Sequence, residues 1–279
     1  MAGRTVSSWT CVFSQFLPPI FSIALSSQGL CAQSDDVKPE AVPNRPTVST
    51  PAALSAPGWL EAEFGGLHAR DLHPDADPAR RTSLPYSLKL AFTEDWGVRI
   101  DGEASVRRSA NDGARDTGGL GDTTFVVKRR FAIDSRSDFK SAFGLEAWLA
   151  VPTSRRGLGT GSGKPDYTIN AIYSADFGDW HSDLNLLNTR VGAIDAGEGR
   201  WQTLGAIAWS RRLDDRWGVV GEISGTHQRG ASGTAQALGA FTYAIRRSAI
   251  LDFGVAHALN RATPTWQAFV GITVVLGRA

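Results

Sequence analysis

From Trp59 onward, apolar and polar residues alternate with a period of two. In "GLGDTTFVVKRRF" (119–131), Thr123, Phe125, Val127 and Phe131 share one parity, and Asp122, Thr124, Lys128 and Arg130 share the other. In "WGVRIDGEASVRR" (96–108), Val98, Ile100, Ala104 and Val106 oppose Arg99, Asp101, Glu103, Ser105 and Arg107. "WGVVGEISG" (217–225) and "WQAFVGITVVLG" (266–277) repeat the alternation. Successive strand side chains point to opposite faces, so this period predicts strands with one apolar and one polar face. Twelve segments of about ten residues follow the pattern: 58–67, 83–92, 97–107, 120–131, 139–151, 166–177, 181–191, 200–212, 216–228, 234–246, 249–258 and 264–277.

The connections alternate in length. "HARDLHPDADPARRT", "SANDGARDTGG" and "PTSRRGLGTGSGKP" are long; "TEDW", "GDW" and "DDR" are short. A soluble sandwich has no reason to sort loops this way, whereas outer-membrane barrels pair short periplasmic turns with longer extracellular loops. The expected fold is all-β: an antiparallel transmembrane β-barrel of about 12 strands. Three short turns are each followed by tryptophan, at Trp96, Trp180 and Trp217. Trp59, Trp201 and Trp266 also open strands, and all six are expected at a membrane interface. The polar parity assigns Glu61, Glu63, Lys89, Arg99, Asp101, Glu103, Arg107, Asp122, Lys128, Arg130, Glu146, Glu222 and Asp252 to a pore lining. Arg129 falls on the apolar parity near a strand end, where its stem can snorkel toward headgroups.

Composition adds an address. Residues 1–32 read as a secretory signal peptide, with Arg4 as the positive region and "CVFSQFLPPIFSIAL" (11–25) as the apolar core. That run is too short to span a bilayer, and Pro18 and Pro19 weaken it further. Cleavage near Ala32 removes Cys11 and Cys31, the only two cysteines, and leaves 28 basic and 28 acidic residues. Thiolate chemistry and a disulfide framework are then excluded, and the charge balance implies no nucleic-acid partner. The Pro-, Ser- and Ala-rich stretch 33–57 reads as a disordered linker ahead of a barrel domain at 58–279.

"GLGDTTFVVKRRF" and "FGLEAWLAVPTSRRGLGTGSGKPDYTINAIYSADFGDWHSDLNLLNTRVG" together resemble the outer-membrane barrels of the MetA-pathway of phenol degradation family, often labelled simply transporters. The resemblance rests on Gly119, Gly121 and Asp122, on Arg130 and Phe131, and on Pro152 and Thr153 leading into a glycine-rich loop. It covers roughly residues 58–279. It implies an outer-membrane barrel and, more loosely, passage of small compounds, aromatic ones among them. It brings no catalytic residue set. The chain departs from the barrel pattern in ending "VVLGRA" rather than on an aromatic residue, so the signal to the barrel assembly machinery rests on Gly271, Val274 and Leu276.

Three stretches invite other chemistry. "GLGTGSGKP" (157–165) lacks the first glycine and the final hydroxyl residue of a phosphate loop. In "WHSD", His181 and Ser182 lie on opposite faces of a strand and form no dyad. His68, Asp71, His73, Asp75 and Asp77 could ligate a cation, but without a recognised spacing they read as a solvated loop. No catalytic residue, metal or cofactor is therefore assigned. The expected function is an outer-membrane channel or transporter of a Gram-negative bacterium, with membrane lipid, a small solute and the assembly machinery as partners. The rival is a structural or surface-interaction barrel with a filled lumen, and a barrel-borne hydrolase ranks last.

Overall fold

The computed structural model describes residues 38–71, 79–110, 117–136, 139–155 and 160–279. Its strands are β1 (Trp59–Arg70), β2 (Ala79–Ala91), β3 (Trp96–Ala110), β4 (Thr117–Gly119), β5 (Thr123–Ser135), β6 (Phe139–Val151), β7 (Asp166–Phe177), β8 (Trp180–Arg190), β9 (Trp201–Arg212), β10 (Trp217–Gln228), β11 (Ala235–Arg246), β12 (Ala249–Ala258) and β13 (Trp266–Arg278). Neighbours pair antiparallel around the ring, β1 meets β13, and the β2–β3 ladder completes the closure. The three-residue β4 and the longer β5 both pair with β3, so they form one wall strand interrupted at residues 120–122. The protein is thus an all-β antiparallel closed barrel of 12 wall strands, with no helix among the described residues. Closure leaves no unpaired sheet edge.

From β6 to β13 the strand limits agree with the alternation to within two residues. The first strands run further: β2 begins at Ala79 and β3 continues to Ala110. Their extra residues include Arg80, Arg81 and Arg108. The ladder continues there beyond the apolar belt, where alternation no longer marks it.

One rim carries the short turns, such as Gly178–Asp179, where Gly178 takes a left-handed φ of 60° that suits glycine. The other carries the long connections, including 152–165 and 191–200. The outer face is apolar: Phe64, Phe125, Val127, Ile169, Leu184, Leu186, Ile223 and Val270 are all exposed. Trp59, Trp96, Trp180 and Trp217 sit at the short-turn rim, and Trp201 and Trp266 at the long-loop rim. At the short-turn rim three of them face an arginine directly across the ladder: Arg278 lies 5.5 Å from the Trp59 ring centre, Arg129 5.0 Å from Trp96, and Arg211 5.5 Å from Trp180. The outward Arg129 is thereby accommodated.

Residues 38–57 differ from the expected disordered linker. They enter at the short-turn rim, where the Ala41 amide donates to Arg247 O, run around the inside of the wall, and return to the same rim, where Gly58 N donates to Ala91 O. Composition argued for disorder because the segment has too little apolar surface to fold alone. Inside the barrel it needs none, since the wall supplies its hydrogen bonds.

Candidate functional site

The lumen is a lattice of charges and amides through which segment 38–57 is threaded. Along β1, Glu61 accepts from Val42 N (3.0 Å) and Glu63 from Asn44 N (2.7 Å). Lys89 on β2 lies between them, with Nζ 2.5 Å from Glu61 Oε1 and 2.6 Å from Glu63 Oε1. The same ammonium donates to Val42 O at 2.5 Å. Across the barrel, Glu222 on β10 accepts from Val48 N, Ser49 N and Ser49 Oγ at 3.1, 2.8 and 2.7 Å. A carboxylate facing three donors of one short segment clamps it, since each bond is charge-assisted.

A second group centres on Glu146 of β6, which is fully buried. It accepts from Arg99 Nη1 (3.1 Å), Trp148 Nε1 (2.9 Å) and Asn170 Nδ2 (3.0 Å), and Lys128 Nζ stands 3.4 Å away. Arg99 also binds Asp101 (2.7 Å) and lies over the Trp148 ring (5.4 Å). Two cations and two amide or indole donors make burial of this carboxylate tolerable. The network reaches the threaded segment through Lys128, which donates to Pro51 O, and through Asn185, which accepts from Thr50 N at 3.1 Å. Ser174 on β7 accepts from Ala52 N at 2.7 Å and donates to Asp183, which binds His181 Nε2 at 3.0 Å; Asp176 holds the other ring nitrogen at 2.6 Å.

Inward glycines shape the slot. Arg45 reaches Asp252 on β12 (Nε to Oδ2, 3.2 Å) by crossing the wall at Gly65 and Gly271. A Cβ at either glycine would collide with its guanidinium. A Cβ at Gly97 would meet the Leu54 side chain, and one at Gly144 would touch Ala52. Glycine inside a strand marks close approach of another chain segment. That signal was present in the sequence, as was the amide pair Asn170 and Asn185. The partners of both lay in a stretch that composition had set aside.

Ten of the thirteen predicted lining residues lie on the inner face among these contacts: Glu61, Glu63, Lys89, Arg99, Asp101, Glu103, Lys128, Glu146, Glu222 and Asp252. Arg130 also faces inward, near the short-turn rim opposite Gly144. Asp122 lies in the break between β4 and β5, at the long-loop mouth, where it accepts from Ser154 N (3.1 Å) and Ser162 N (2.7 Å). Arg107 requires correction, because it is exposed on the outer face opposite Thr82. A bulge inserts an extra residue of β3 between the Ser83–Val106 and Pro85–Glu103 pairs. One extra residue reverses every side chain beyond it. Val106 therefore turns inward, where it is 1% exposed, and Arg108 replaces Arg107 at the inner mouth.

Asp122 already accepts amides of the glycine-rich loop, and a carboxylate in that place disfavours a phosphate; residues 156–159 lie outside the described residues. Ser182 faces away from His181 and donates to Ala208 O. His68 bonds Thr82 on the outer face and Asp71 accepts from Thr265, while His73, Asp75 and Asp77 lie outside the described residues.

Two cavities lie toward the two rims. One of about 1070 Å³ opens at the short-turn rim between the segment and β7–β12, bordered by Asp176, His181, Asp183, Ser210 and Arg212. One of about 480 Å³ lies at the long-loop mouth, bordered by Arg81, Glu103, Arg108, Asp122 and Ser162. Cavities with charged walls at the two ends can admit water and small polar solutes.

No family model matches the chain, and no curated protein matches it. Among solved structures, an outer membrane channel from Pseudomonas putida F1 superposes with a TM-score of 0.65 at 14% identity, over 81% of this chain and 98% of that one. A CymD monoaromatic hydrocarbon channel (TM-score 0.47, 9% identity, 80% and 90% coverage) and a KdgM porin in complex with disordered oligogalacturonate (0.45, 12%, 77% and 99%) are more distant. What this chain shares with the Pseudomonas channel is the fold of an outer-membrane barrel.

Proposed function

We propose that the protein is a channel of the Gram-negative outer membrane for small polar solutes, in which residues 38–57 set the constriction. Residues 1–32 direct export, the assembly machinery inserts the barrel, and the short-turn rim faces the periplasm. The exposed apolar belt between two tryptophan rims supports a lipid environment. The observation that carries the channel reading is how the segment is held: by hydrogen bonds and ion pairs from Glu61, Glu63, Glu222, Asn185 and Asp252. Water can replace such bonds one at a time, so the segment can shift without exposing an apolar core. Charged cavity walls favour polar solutes over the aromatic compounds that the family resemblance implies.

The filled middle of the barrel favours one rival, a structural or surface-interaction barrel. Planar-bilayer recordings separate the two. The channel reading expects small discrete conductance from the mature chain and a severalfold larger one after deletion of residues 40–55. No conductance from the folded mature chain, with conductance appearing only after the deletion, would establish the filled barrel instead.

A further inference from the structure

The outer face near the long-loop rim holds a charge arrangement that the channel reading does not use. Arg70 on β1 and Arg80 on β2 are direct cross-strand partners, and both are exposed. Arg107, turned outward by the β3 bulge, sits on the adjoining strand opposite Thr82, two residues along β2 from Arg80. Like charges directly opposed on one sheet face destabilise it. Among the described residues, no carboxylate lies in salt-bridge range of any of the three. The acid next in sequence, Asp71, accepts a bond from Thr265 at 3.2 Å. At the short-turn rim Arg278, Arg129 and Arg211 each lie over a tryptophan. Here Trp266, the cross-strand partner of Arg70, packs instead against His257, with ring centres 4.3 Å apart and planes tilted by 38°.

Below this basic row the surface is apolar and recessed. Phe64, Leu84 and Val270 are 52%, 50% and 57% exposed. Between them and the arginines lies Gly66, where an added Cβ would meet nothing within 4 Å. A basic row above an open apolar lane matches an anionic head joined to hydrocarbon chains. Guanidinium groups suit phosphate, because their paired N–H donors bind its oxygens two at a time.

We propose that Arg70, Arg80 and Arg107 bind the phosphorylated headgroup of an outer-leaflet glycolipid, with its acyl chains along Phe64, Gly66 and Val270. The site rests on the outer-membrane reading, since only that orientation turns the long-loop rim toward the outer leaflet. Phosphate bridging the arginines removes their mutual repulsion and anchors this sector of the wall.

The test uses the full mature chain, refolded in mixed micelles and examined by native mass spectrometry for retained lipid. The probes are bis-phosphorylated lipid A, the same lipid without phosphates, and phosphatidylglycerol. The wild type should retain the bis-phosphorylated lipid about tenfold better than either other probe. The triple variant R70Q/R80Q/R107Q should lose that preference, and R190Q, at the same rim beside Trp201, should keep it. Equal retention of phosphorylated and dephosphorylated lipid by the wild type overturns the site without needing any variant to fold. Equal retention of phosphatidylglycerol also overturns it, leaving only general headgroup contact. A wild-type chain that folds and inserts but shows no phosphate preference refutes this site alone. A chain that never inserts into bilayers refutes the outer-membrane reading beneath it.

Discussion

Ser49 and Glu222 lie 173 residues apart, yet the amide and hydroxyl of Ser49 both donate to one carboxylate oxygen of Glu222, at 2.8 and 2.7 Å. Val48 N binds the other oxygen at 3.1 Å. The clamp makes Glu222→Ala informative. Hydrogen bonds to a charged group are worth about 1.5–3 kcal/mol each. Their loss should free the Val48–Ser49 stretch while leaving the wall ladder intact. Single-channel conductance should rise severalfold, with unchanged heat-modifiable gel mobility. Unchanged conductance in a folded Glu222→Ala barrel would mean that this stretch does not limit the pore.

Gly271 and Arg45 should be coupled. Gly271→Ala pushes the guanidinium away from Asp252, leaving a buried carboxylate without its cation. Breaking a buried pair from one side costs about 3–5 kcal/mol. In an Arg45→Ala background the added methyl has nothing to displace, so its cost should nearly vanish. Urea unfolding from lipid vesicles across this double-mutant cycle measures the coupling; additive effects would place Arg45 elsewhere.

The outer face should show depth dependence. Ile223 is 52% exposed near the middle of β10, and Val219 lies two residues from the rim residue Trp217. Arginine on the lipid face costs about 2–4 kcal/mol at the midplane and about 0–1 near an interface. Ile223→Arg should therefore fold into vesicles markedly less well than Val219→Arg. Equal yields would mean that this face does not meet hydrocarbon.

Asp122 predicts a pH response at the long-loop mouth. Burial raises its pKa, but hydrogen bonds from Ser154 and Ser162 outweigh that and hold it below the usual carboxylate value. A depressed folded pKa gives stability that is full above the unfolded value, near 3.9, and is lost as pH falls through the folded one. Below about pH 4 the Ser154 and Ser162 amides should lose exchange protection, after correction for intrinsic rates. Asp122→Asn should show weak protection at every pH. Hydrogen exchange with mass spectrometry reads both.

The proposed orientation rests on loop sorting. Cysteine at Ser162 should react with an impermeant thiol reagent on intact cells, and cysteine at Asp95 should not. The native Cys11 and Cys31 both lie in the proposed signal peptide, whose cleavage would leave no competing thiol. The reverse labelling would invert the topology.

Alternation by itself determined the barrel. A strand between hydrocarbon and water must sort its residues by parity, so Phe125 against Lys128, or Ile223 against Glu222, already stated which face each would take. The lengths of the connections separated a short-turn rim from a long-loop rim. Two things were decided only in three dimensions. The parity of Arg107 depends on one extra residue in β3, whose effect appears only when β3 is laid against β2. The order of residues 38–57 depends on partners up to 238 residues away, as in the bond from Lys38 to Leu276 O. Composition measures what a segment can bury against itself. This one hydrogen-bonds to a wall that exists only once twelve strands have closed around it, so neither its path nor the inward glycines that fit it could be read from its own residues.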